Sequence, residues 1–254
     1  MANDYSYIDR NLAGIRAGIN DACRAAGRDP DAVTVMGAIK SADPGEINYA
    51  HRVLGIHTVG ENRVQQLLSR YELLDREGLS LQFIGTLQTN KVKYIIDKVD
   101  MIQSLDSGGL AREIQKQAGK YGVVMDVLIE INSGSEESKS GVQPQDAEAF
   151  ARWVTDPANG LDRIRLRGFM TMAPKGDEAQ YRRIFRETRS LCDRIWTEAL
   201  GRTDRMIMSM GMSESYAWAA AEGATMVRVG RGLYASGRPD AAPDGGAAAN
   251  TQSL

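Results

Sequence analysis

The sequence predicts an α/β fold, a single (β/α)8 TIM-type barrel with an extra helix at its start and a disordered tail at its end. Three observations predict it. Short runs of apolar and β-branched residues alternate with segments of three-and-four periodicity, unit after unit without a break. The junctions carry capping or turn residues, and 254 residues suit one barrel of this kind. An open flavodoxin-like sheet with a helical appendage is the alternative.

Ile8, Leu12, Ile15, Ile19 and Cys23 recur at three and four residues, an amphipathic helix ending near Gly27. The first strand runs from Ala32 to Lys40. Asp43-Pro44-x-Glu46 then supplies an N-cap, a first helical position and a third. Ile56 to Val59 leads through Gly60-Glu61-Asn62 into a helix carrying Val64, Leu67, Leu68 and Tyr71. Leu81 to Gly85 precedes a helix from about Thr89, and Met101 to Ser104 precedes one from about Ser107. Val123 to Ile131 is a strand, and Pro144 opens a helix with Phe150, Trp153 and Val154. Ile164 to Met170 is followed by a long helix from about Asp177 to Leu200, and Met206 to Met208 by a short one capped by Ser213. Thr225 to Gly230 and then Gly232-Leu233-Tyr234 form the last unit. The barrel is expected to occupy residues 1–238; residues 239–254, rich in Ala, Gly, Pro and Asp, have little to bury and read as the tail.

A net charge of -2 with mixed signs leaves no footprint for nucleic acid. Two cysteines and two histidines supply poorly any disulfide framework, zinc site or Cys/His or Ser/His/Asp centre. With no signal peptide and no apolar run long enough to span a bilayer, the chain is expected in the cytoplasm, off the membrane, and as a monomer.

Strand alternation puts Thr34, Met36, Ala38 and Lys40 on one face, so Lys40 closes a buried strand at its carboxyl end. Either it emerges into solvent or it is a Schiff-base lysine, made nucleophilic by desolvation. In a barrel the strand ends would gather Lys40 with Glu61 and Asn62, Thr86 and Gln88, Ser104 and Asp106, Asn132, Thr171, Ser209, and Arg228 with Gly230 at one mouth. Ser209-Met210-Gly211-Met212-Ser213 and Val229-Gly230-Arg231-Gly232 fall at the two loops where barrels hold phosphate; the plainer alternative is tight turns. Met226, Arg228 and Gly230 share the inner face. Arg228 must there find an acceptor, whether a carboxylate such as Glu61, a ligand's phosphate or a ring nitrogen. A lysine on the first strand, an inward arginine on the last and a phosphate cradle together describe a pocket for pyridoxal 5'-phosphate. An arginine against the pyridine nitrogen would keep it unprotonated and weaken the electron sink.

Several pieces stand in order over roughly residues 30 to 238: Val59-Gly60-Glu61-Asn62-x-Val64-Gln65, Phe83-Ile84-Gly85-x-Leu87-Gln88-Thr89-Asn90-Lys91, Asn132-x-x-x-Glu136-Glu137-Ser138-Lys139-Ser140-Gly141, Gly168 to Pro174, Met208 to Ser213 and Val227 to Gly230. With these motifs the chain resembles the pyridoxal-phosphate homeostasis proteins, the YggS/PROSC family, whose barrel is similar to the N-terminal domain of alanine racemase. The resemblance implies a cofactor imine on Lys40 and no established turnover. It also implies a role in buffering vitamin B6 aldehyde or delivering it to apoenzymes, with Asn62, Ser209, Gly211, Met212, Arg228 and Gly230 around the cofactor.

The chain departs from the family pattern at Thr86, where a histidine is usual, and at Ala42, where a second lysine is common. Arg231 stands where a small hydroxyl residue is common and counts as a further cofactor contact, tightening phosphate binding by charge unless it turns inward and blocks the pocket. Lys91 and Lys139 read as surface charges; Met170, Met172, Met206, Met208, Met210 and Met212 as barrel filling; Trp153, Trp196 and Trp218 as packing. Two other function classes share the lysine and the phosphate site: a pyridoxal-phosphate racemase or decarboxylase, and a Schiff-base aldolase.

Overall fold

A computed structural model describes residues 4–134 and 140–236. The expected tail, and Glu136, Glu137 and Lys139 of the third motif, lie outside the described residues.

Helix α1 (Ser6–Ala25) buries Ile8, Leu12, Ile15, Ile19 and Cys23, as the periodicity predicts. Eight strands follow among the described residues: β1 (Thr34–Ala38), β2 (Thr58–Glu61), β3 (Ser80–Phe83), β4 (Met101–Leu105), β5 (Met125–Ile131), β6 (Ile164–Thr171), β7 (Ile207–Ser209) and β8 (Met226–Val229). Each pairs in parallel with its neighbour, and β1 pairs with β8, so the sheet closes on itself. This is the predicted barrel, not the open sheet.

The connecting helices are α2 (Pro44–Arg52), α3 (Val64–Arg70), α4 (Gly108–Tyr121), α5 (Ala147–Thr155), α6 (Glu178–Arg194), α7 (Tyr216–Ala221) and α8 (Arg231–Tyr234). Asp43 and Glu46 form a reciprocal capping box on α2, with bonds of 2.7 and 2.9 Å, and Asp177 does the same for α6. The helix after β6 fills its expected span, its last turn, Ile195–Ala199, in π form. Two expectations are corrected. The segment after β3 is a 3-10 stretch, Thr89–Tyr94, whose Val92 and following Ile95 and Ile96 bury too short a stripe for a full helix. Ser215, not Ser213, is the N-cap position of α7, and Ser213 instead accepts a hydrogen bond from Gly232 N–H at 3.1 Å.

The main core lies between strands and helices, where Ile39 just after β1 and the outward residues of β2 and β8, such as Val59, Val227 and Val229, meet the helical stripes. Inside the barrel two smaller apolar clusters, Met36, Ala38, Ile84 and Met226, and Met101, Leu128 and Met170, are interrupted by polar side chains. Those buried polar groups mark the site.

Candidate functional site

Barrel closure brings the first and last strands together. Met36 lies opposite Arg228 and Gly37 opposite Val229, so the chain leaving β1 passes beside the chain leaving β8. A Cβ on Gly230 would stand 3.0 Å from the Ala38 carbonyl oxygen, closer than an ordinary contact, so glycine lets the last loop approach the start of the Lys40 turn without displacing it.

At this mouth is a cavity of about 140 Å³ lined by Lys40, Asn62, Met212, Arg228, Gly230 and Arg231, with Ala38, Ile84, Met172, Lys175, Tyr181, Ser213, Glu214 and Ser215. Ser209 and Gly211 do not line it. Ser209 is fully buried beneath it, and Gly211, at φ +91, turns the backbone so that its carbonyl accepts from Arg228 N–H at 3.0 Å.

Lys40 corrects one expectation. It is exposed, on a turn just after β1, and not a desolvated strand-terminal amine. Ile39 goes into the outer core, and Arg70 donates to its carbonyl oxygen, fixing the backbone from which Lys40 projects. Arg70 also pairs with Glu61 at 3.0 Å, while Glu61 Oε1 accepts from Asn62 and Arg63 N–H at 2.6 and 3.1 Å. Glu61 is therefore an anchor for Arg70 and Asn62, not the acceptor for Arg228.

Arg228, 4 % exposed, donates from Nη1 to Ser209 Oγ at 2.7 Å and from Nη2 to the Thr171 carbonyl oxygen at 2.9 Å. Ser209 Oγ donates to Gln103 Oε1 at 2.7 Å, and Gln103 Nε2 to Gln82 Oε1 at 2.7 Å. A polar chain thus crosses the barrel and holds the guanidinium. Burial lowers the arginine's pKa to about 10, with Glu130 opposing the shift, so it stays cationic at neutral pH.

The last two loops are tied into one wall. Met212 N–H donates to Ser215 Oγ at 3.2 Å, Gly232 N–H reaches Ser213, and Arg231 pairs with Glu214 at 3.1 Å. Arg231 is exposed and leaves the cavity open, its charge met by Glu214. Met170 fills the barrel as expected, whereas Met206, Met208 and Met210 are buried in the outer core between strands and helices, and Met172 and Met212, 37 % and 38 % exposed, flank the opening.

Of the other strand-end residues, Thr86 bonds Ser140 at 2.9 Å, and Ser104 and Thr171 are buried. Trp196 and Trp218 pack as expected, against Phe169 and Tyr181. The sequence reading passes over Gln103, Glu130 and Lys175. The first two put a large polar side chain on the inward-facing alternation next to Met101 and Leu128, which is a visible signal; Lys175 sits in a loop and gives none.

Residues 11–237 match the family of the alanine racemase N-terminal domain, which gives the class of protein: a barrel of that kind with its site at the carboxyl ends of the strands. The pyridoxal phosphate homeostasis protein of Aquifex aeolicus is 40 % identical over 227 residues, covering 88 % of this chain and 95 % of that one. An unknown protein from Bifidobacterium adolescentis superposes with a TM-score of 0.84 at 35 % identity, over 92 % of this chain and 98 % of that one. PipY of Synechococcus elongatus PCC7942, solved with PLP bound, superposes with a TM-score of 0.75 at 28 % identity, over 89 % and 99 %. The chain belongs to the pyridoxal phosphate homeostasis protein family. Among the described residues no helix is long and apolar enough to cross a membrane.

Proposed function

We propose that the chain binds pyridoxal 5'-phosphate in the Lys40 cavity, carries it covalently on the lysine amine, and buffers it or delivers it to apoenzymes without catalytic turnover. The observation that carries this reading is the meeting of Lys40, Arg228 and the Gly230 loop around one small cavity, in a chain whose relatives include PipY, solved with PLP bound. The residues fit such a group. Asn62 lines the cavity with a buried Oδ1 that has no hydrogen-bond partner among the described residues, and the absence of a Cβ at Gly230 opens the backbone to close approach.

Pyridoxal phosphate supplies an aldehyde that condenses with an amine and a phosphate that needs cations and N–H donors. Lys40 offers the amine, on a backbone held by Arg70. Arg228 offers a fixed positive charge that disfavours a further proton on any ring nitrogen resting against it, which suits holding the cofactor better than turning it over. Asn62, Ser209, Gly211, Met212 and Arg231 complete or support the wall. In this reading the chain acts as a monomer.

Freshly purified protein should be yellow, and borohydride should fix the cofactor mass on the peptide containing Lys40, with colour and mass both lost in Lys40→Ala. Colourless protein that fixes no cofactor on any lysine would overturn the reading. Colourless protein that traps a keto-sugar would favour the aldolase. Proton exchange at the α-carbon of amino acids above the Lys40→Ala control would favour the enzyme.

A further inference from the structure

A second cavity, about 500 Å³, opens at the carboxyl ends of β5 and β6, lined by Glu130, Asn132, Ser140, Met172 and Lys175 among others. Met172 and Lys175 also line the Lys40 cavity, so the two adjoin. Glu130 is 2 % exposed, and its Oε2 has no hydrogen-bond partner among the described residues. The nearby cation does not satisfy it, because the Arg228 guanidinium donates to Ser209 and Thr171. A buried carboxyl left short of a donor beside a cavity is a costly arrangement unless something supplies that donor.

We propose that the Glu130 cavity is a binding site for the ammonium group of a small primary amine. Three donors ordered around one carbon chain match a carboxylate that has a spare oxygen and neighbours able to accept, and the apolar flank of Met172 and Pro174 suits a short alkyl stem. A metal ion is a poorer match: among the described residues no group of three or more His, Cys, Asp or Glu could hold one. An anion would find Lys175 but would share the cavity with the Glu130 carboxyl, which repels it once ionised.

The charged groups around Glu130 set the pH response. Burial, with Asp106 following β4 adding repulsion and Arg228 on β8 opposing it, pushes the Glu130 carboxyl up to about 7; Lys175 stands at the cavity rim. The carboxylate is the form that holds an ammonium, so binding strengthens as the carboxyl ionises.

The test is calorimetric titration of cofactor-free full-length chain with propylamine, which at neutral pH is a cation, against 1-propanol as the neutral match. Saturable binding of propylamine and not of propanol is expected, tightening between about pH 6 and about pH 8 and weakening at least about tenfold in Glu130→Gln. No saturable binding, equal binding of propanol, unchanged affinity in Glu130→Gln, or binding that tightens as pH falls would overturn the proposal. The pH profile of the unaltered chain decides even if Glu130→Gln folds poorly. Colour and trapped mass do not enter this titration, so its failure is distinct from failure of the cofactor reading.

Discussion

Ser209 is the joint on which Arg228 depends, and Ser209→Ala tests it. The hydroxyl, fully buried, accepts from Arg228 Nη1 at 2.7 Å and donates to Gln103 Oε1 at 2.7 Å. Alanine removes both bonds and leaves a charged donor and an amide oxygen unpaired in the barrel interior. The orphaned amide oxygen costs about 1 to 2 kcal/mol and the charged donor about 2 to 3, so the loss is about 3 to 5 kcal/mol. A domain of this size loses about 2 to 4 °C of Tm per kcal/mol, which puts the expected drop at roughly 10 °C. Thermal unfolding followed by far-ultraviolet circular dichroism reads it directly. The double variant with Arg228→Met, which removes the charge that the serine served, should cost less than the two single changes added together, by about 1 to 3 kcal/mol. A Tm within about 2 °C of the parent, or strict additivity, would mean that the polar chain across the barrel does not hold the guanidinium.

Two further outcomes follow from the buried charges. Arg70→Ala leaves the fully buried Glu61 without its 3.0 Å partner and frees the Ile39 carbonyl, so a loss of about 3 to 5 kcal/mol is expected in urea unfolding, together with slower borohydride trapping on Lys40. Glu130 has a raised carboxyl pKa, from 4.5 to about 7, so the folded chain holds this proton more tightly than the unfolded one. That contribution is fully present below about pH 4.5 and is lost as pH rises through 7, amounting to on the order of 3 kcal/mol. Glu130→Gln should therefore gain on the parent between pH 5 and 8 in paired melting curves, and a constant gap across that window would refute the assignment.

Much of the fold was legible because its signals are local. The stripe of α1, the capping box at Asp43 and Glu46 and the alternation around Arg228 each depend on a few neighbouring residues, and the structure carries all of them. The 3-10 stretch at Thr89–Tyr94 was not legible, because its length is set by what it packs on. Within the site, alternation marked Arg228 and could equally have marked Gln103 and Glu130, since each is a large polar residue on the inner face of its strand. Lys175 carried no such signal; its loop reaches the cavity only through the packing of β6 against its neighbours.

The sequence by itself determined the order of strands and helices and much of the inward set of side chains, and it marked Lys40 as the amine that follows the first strand. Tertiary structure decided which of these residues share a cavity and which partners they take. Closure of β1 on β8 delivers Gly230 to Ala38, places Lys40 in the open instead of buried, gives Glu61 to Arg70, and leaves Arg228 to Ser209 and Thr171. The physical reason is range: periodicity and capping act over a few residues, whereas hydrogen-bond pairing and burial are settled only when the barrel closes.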